Sequence, residues 1–154
     1  MTTRLLPWPP LPDVIRLDNP DPTAPHPWDL CSLLDPVATA VWEWLDQVAY
    51  WLNHTYGWHE TQVIPACWPD HPNIAHELAA LAFTRIDVYT ASTAAYIPRW
   101  HDDLEIFHRR LTTTLGPNPP CLRGNHDALP ARYTSETANL AISDRSDVPV
   151  SGQQ

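Results

Sequence analysis

Residues 70–116, DHPNIAHELAALAFTRIDVYTASTAAYIPRWHDDLEIFHRRLTTTLG, decide the fold. The apolar period opens on Asp70-His71-Pro72, and proline sits comfortably in a helix only in its first turn. Ile74, Leu78, Leu81, Arg85 and Val88 or Tyr89 then recur at three-to-four spacing, which predicts a helix to about Tyr89. A second period starts near Pro98. Ile97, Trp100, Leu104, Phe107, Leu111 and Leu115 follow one face until Gly116-Pro117 stops the helix. Only TASTAAYI lies between the two periods, too short for anything but an antiparallel pair. Arg85 falls on the inner side. A packed stem whose head reaches water or an acid is one reading, and a polar group in a pocket is the other.

Working outward, a third helix precedes the pair. Asp35-Pro36 reads as an N-cap with proline at the first helical position. Val37, Val41, Leu45, Val48 and Leu52 form its stripe to about Tyr56, with Trp44 and Trp51 along one edge and Trp42 beyond Ala49 on the other. So wide an apolar arc predicts contact with both other helices. Gly57 is expected to end the helix in a left-handed conformation. The fold class is therefore all-α: a small three-helix antiparallel bundle over residues 35–128. A disordered proline-rich arm, residues 1–34, precedes it, and a polar disordered tail, residues 129–154, follows.

The 154 residues include 18 prolines, four glycines and eight tryptophans, and the 18 acids outnumber nine basic residues for a net charge of −9. One compact domain suits that length. A fibrous repeat, a disulfide-dense mini-protein and a membrane-spanning chain are excluded. Nucleic acid is disfavoured as a partner, because the acidic surface repels phosphate. Prolines interrupt MTTRLLPWPPLP at once, so it is no secretory signal, and no apolar run reaches the roughly 18–20 residues of a membrane span. Three cysteines are few and odd for a secreted scaffold, which points to the cytoplasm. The arm holds eight prolines, and two readings fit it. It docks a protein partner through Trp8 and Trp28, or it lies over the domain and tucks in one or both indoles.

The chemistry-bearing residues gather at the helix ends. CWPDH places Cys67 and His71 at the entry of the second helix, and CLRGNH places Cys121 and His126 after the exit of the third. Antiparallel helices bring those ends together, and two thiols with two imidazoles make a complete tetrahedral zinc set. Competing readings are thiols packed as small hydrophobes, a helix cap at His71, and a Cys67–Cys121 disulfide. His101, Glu105 and His108 form a second row on one flank, and Glu105-x-x-His108 matches half of a di-iron motif. No phosphate loop, nucleophile elbow or HExxH motif is present. Arg99, Arg109 and Arg110 form a basic patch that Asp102, Asp103 and Glu105 dilute.

VIPACWPDHPNIAHELAALAFTRIDVY, IPRWHDDLEIFHRRL and the cysteine that follows resemble an uncharacterised family of small helical actinobacterial proteins. It is a domain of unknown function often encoded on plasmids, integrative elements and phages. The shared features run from about Leu45 to His126: the Cys-Trp-x-x-His-Pro turn, the Leu-rich helix behind it, the Trp100-His101 start and Cys121. The absence of lysine suits a GC-rich genome of that kind. The resemblance implies an accessory protein of mobile DNA and no particular activity. The leading expectation is a non-catalytic, protein-binding accessory module. The alternatives are a metal-dependent hydrolase using His101, Glu105 or Glu60, and a DNA-binding accessory protein.

Overall fold

The computed structural model describes residues 4–126, which form helices and no strand. The helices are α1, Val37–Tyr56, α2, Pro72–Thr90, and α3, Ile97–Leu115. Short 3₁₀ turns lie at Glu60–Gln62, Trp68–Asp70 and Pro120–Arg123. No helix among the described residues is long and apolar enough to cross a membrane. The expected tail, residues 129–154, lies outside the described residues.

The helix boundaries follow the local chemistry. Pro72 and Pro98 stand in the first turns of α2 and α3. The N-cap is Pro36 rather than the expected Asp35, which stands one residue earlier and accepts hydrogen bonds from the Thr39 hydroxyl at 2.6 Å and the Thr39 N–H at 3.0 Å. Those two donors hold the Asp35 carboxyl below the usual carboxylate range. At the other end of α1, Gly57 does not take the expected left-handed conformation; its φ is −80°. Glycine is needed there for space. A Cβ at Gly57 would stand 2.5 Å from the Asn53 carbonyl oxygen, which is backbone and cannot swing aside. Gly57→Ala should therefore cost about 1–3 kcal/mol in urea unfolding, whereas a neutral result would show that the turn relaxes freely.

The antiparallel pairing of α2 and α3 is visible along its length. Asn73 at the start of α2 donates to the Thr114 hydroxyl near the end of α3 at 2.6 Å. Further along, Glu77 pairs with Arg110, and the Trp100 indole donates to the Leu81 carbonyl at 3.0 Å. Tyr89 at the end of α2 meets the Trp100 ring edge-on. The buried face of α2 carries Ala75, Ala79 and Ala82 between Ile74, Leu78, Leu81 and Phe83, so large rings from its neighbours fit close against it. Trp44, Leu45 and Val48 of α1 and Trp100, Phe107 and Leu111 of α3 complete the core.

The arm is not disordered; of its two readings, the one that lays it over the domain and tucks in an indole fits the structure. Its prolines exclude helix and strand, but residues 4–34 are packed on the helices rather than disordered, with Ile15 and Leu30 buried. Trp8 is half-buried, with its ring edge-on to Trp51 and Trp44 at centroid distances of 5.0 and 6.1 Å. Burial explains the change: an indole left in water forfeits about 1.5–3 kcal/mol of transfer free energy, and a groove lies within reach. Trp28 remains 43% exposed, stacked on His26 and touching Phe83.

Arg85 is also resolved. Its guanidinium carbon lies 3.9 Å from the Tyr89 ring centre, 4.2 Å from Trp8 and 4.9 Å from Trp51. Aromatic faces, rather than a carboxylate, thus surround this inward cation.

Candidate metal centre

Two turns present the Cys/His residues, and each is fastened by its neighbours. Before the first turn, the Asn53 side chain donates to the Ile64 carbonyl at 2.9 Å and accepts from the Ile64 N–H at 2.8 Å. Pro65 is fully buried. Next to Cys67, Trp68 is buried, stacks on Trp42 and donates its indole N–H to the Asp46 carboxylate at 3.0 Å. This turn is thus pinned to α1 before α2 begins. Cys67 is half-buried beside it, and His71, at the N-cap of α2, is fully buried. His71 thus holds the cap position that one reading gave it, although its imidazole makes no cap hydrogen bond.

The second turn follows α3. Pro119 is fully buried, and Pro120–Arg123 makes one 3₁₀ turn carrying Cys121. Gly124, at φ 77°, takes the left-handed conformation that side chains disfavour, and Asn125 N–H returns to the Pro120 carbonyl at 3.1 Å. That reversal swings His126 back over Cys121. Arg123 reaches Glu60 at 3.2 Å, tying the turn to the segment after α1.

The four side chains meet as the helix polarity predicts. His71 Nε2 lies 3.5 Å from Cys67 Sγ and 3.6 Å from Cys121 Sγ, and His126 Nδ1 lies 3.7 Å from Cys121 Sγ. All four donor atoms fall within 4.8 Å of one another, so the cluster could hold a metal ion. Both cysteines are free thiols, which leaves the disulfide reading without support. Burial, and then the Cys121 thiol beside it, push the Cys67 thiol up to about 11. A nearby cation would favour the Cys67 thiolate. Asp70 Oδ2 stands 4.0 Å from His126 Nε2, the ring nitrogen that faces away from the thiols.

The other sequence candidates do not assemble. His101 and Glu105 are exposed, whereas His108 is 9% exposed and turns inward. The expected row of three is therefore split between solvent and core. His108 Nε2 has no hydrogen-bond partner among the described residues, and burial lowers the ring's pKa. The unfolded chain then binds more protons than the folded one below the ordinary histidine value of about 6.5. Stability should fall as pH drops through that region, and His108→Gln should flatten part of the slope. Urea titrations at a series of pH values check this, and parallel curves for the two proteins would refute it. Glu60 is engaged by Arg123, and Arg110 by Glu77, while Arg99 and Arg109 are exposed.

Two features of the centre escaped the sequence reading. Trp68 stands in the sequence only as part of the Cys-Trp-x-x-His-Pro turn, and its role as the anchor comes from its contacts with Trp42 and Asp46. Asp70 sits in plain view within CWPDH, but its approach to His126 depends on the second turn folding back. Away from this centre, the exposed Cys31 thiol lies 3.8 Å from His76 Nε2.

Comparison of the chain with protein-family models, curated proteins and solved structures finds no match, so the resemblance to the actinobacterial family rests on the quoted motifs alone.

Proposed function

We propose that this chain is a non-catalytic accessory module whose helical fold is clasped by one structural zinc ion on Cys67, His71, Cys121 and His126. The donor spacing carries the reading. Zinc binds sulfur at about 2.3 Å and nitrogen at about 2.0–2.1 Å, so a tetrahedral ion sets neighbouring sulfur and nitrogen about 3.5–3.6 Å apart. Three of the four sulfur–nitrogen pairs stand at 3.5, 3.6 and 3.7 Å, and all four donors lie within 4.8 Å of one another. His71 offers Nε2 and His126 offers Nδ1, and the outer nitrogen of His126, Nε2, faces the Asp70 carboxylate at 4.0 Å, beyond hydrogen-bond length.

Four protein ligands close a tetrahedron, and closed zinc sites serve structure rather than catalysis. That supports a non-catalytic role over a metal-dependent hydrolase. A reducing cytoplasm would keep both thiols available. The motif resemblance supports placing the module with mobile DNA, and the acidic charge favours a protein partner over nucleic acid.

Elemental analysis of purified protein tests the proposal, with about one equivalent of zinc expected for a single four-ligand site. Protein with less than about a tenth of an equivalent that also takes up no added zinc would end it. Hydrolytic activity lost in Glu105→Gln would instead favour the hydrolase.

A further inference from the structure

We infer that the aromatic groove of α1 and α2 is a recognition surface for proline-rich extended peptides, with the N-terminal arm as its resident and displaceable occupant. The partner it fits is a segment with leucine, tryptophan and proline at the spacing of Leu6, Trp8 and Pro9.

Proline-rich backbone lacks N–H groups, so it is recognised through its carbonyls and its apolar rings. The groove supplies both kinds of contact. Trp51 Nε1 donates to the Leu6 carbonyl at 2.8 Å, and Trp44 Nε1 donates to the Pro9 carbonyl at 3.1 Å. The register matches on the two sides. Trp44 and Trp51 stand two helical turns apart, about 10.5 Å along α1. Leu6 and Pro9 stand one polyproline turn apart, about 9.3 Å along an extended chain. Because the earlier arm residue meets the later tryptophan, the arm runs antiparallel to α1. Between these anchor points Trp8 fits edge-on to both indoles, and the Arg85 guanidinium covers its face.

The arm occupies this surface without filling it. Leu5 is 84% exposed, and Pro7 and Pro10 face solvent. A cleft of about 410 Å³ remains beside it, bordered by Pro7, Pro9, Asp46, Tyr50 and Trp51. A second proline-rich segment can begin to bind there before the arm has left. The surface stands apart from the zinc proposal, because zinc content and peptide affinity are separate readouts on the same preparation.

The test uses the full chain with Trp8→Ala, which weakens the internal competitor, and a fluorescein-labelled peptide RLLPWPPLP followed by anisotropy. Trp8→Ala should bind the peptide at least about tenfold more tightly than the unmodified chain, and a peptide with alanine for tryptophan should bind neither. Adding Trp51→Phe removes one indole donor and should weaken binding about threefold to tenfold. Three binding results would each overturn the inference: no saturable binding to a Trp8→Ala chain that keeps its helical circular dichroism, equal binding by both chains, or binding that appears only as the protein dimerises. Loss of helicity in both Trp8→Ala and Trp8→Phe would make the arm part of the core and overturn it equally.

Discussion

On the zinc reading, His71→Ala should abolish metal binding and destabilise the protein by about 3–5 kcal/mol, the range for removing one partner of a buried site together with its packing. The imidazole is fully buried and stands within 3.6 Å of both thiols, so alanine removes a ligand and leaves a void between two sulfurs. His126 is the control, because its side chain is 43% exposed whereas His71 is fully buried. Its alanine variant should lose metal with a smaller drop, about 2–3 kcal/mol, since no cavity follows. Chelator should bring wild type down close to His126→Ala while changing neither variant further. Thermal unfolding with and without chelator reads all three proteins. A wild-type midpoint indifferent to chelator would sink the prediction.

Trp44→Ala should cost about 3–5 kcal/mol for a different reason. The indole is fully buried, tilts against Phe83 at a centroid distance of 5.0 Å and donates to the Pro9 carbonyl. Alanine opens a cavity between α1 and α2 and releases one anchor of the arm. Trp44→Phe should recover much of the packing but not the hydrogen bond, so limited proteolysis near residues 9–12 should accelerate in both variants. Urea unfolding measures the stability loss. A loss under about 1 kcal/mol for alanine would show that the core closes over the gap.

The helices were legible because their signals are local. Prolines at Pro72 and Pro98, the glycine-proline stop after Leu115 and the three-to-four periods all report on residues within a turn or two. The convergence of Cys67, His71, Cys121 and His126 was legible one step further on, since antiparallel helices force their ends together. What failed to show was long-range or geometric. His108 looked like a flank residue because periodicity does not reveal that the segment after α1 packs against α3, where the Thr112 hydroxyl, one turn beyond His108, reaches the Thr61 carbonyl at 3.3 Å. Both readings of the arm stayed open because proline content describes its conformation and is silent about a groove more than thirty residues away. Gly57 was assigned the right position for the wrong reason, a torsion preference where a carbonyl contact decides.

The ligand turns sit at the open end of the α2–α3 hairpin, opposite the loop that joins the helices. His71 and Cys121 are 50 residues apart in sequence, and helix packing has already brought them together. Closing a flexible loop of that size costs about 3–4 kcal/mol. The folded hairpin has met that cost before any ion arrives, so zinc should bind it about a hundredfold to a thousandfold more tightly than the same ligands on an unfolded chain. Once bound, coordination makes the hairpin a closed ring, with chain at one end and metal at the other. Neither helix then has a free end from which to fray. Amide exchange should be as slow in the first turn of α2 and the last turn of α3 as beside the connecting loop, and chelation should speed only the metal end.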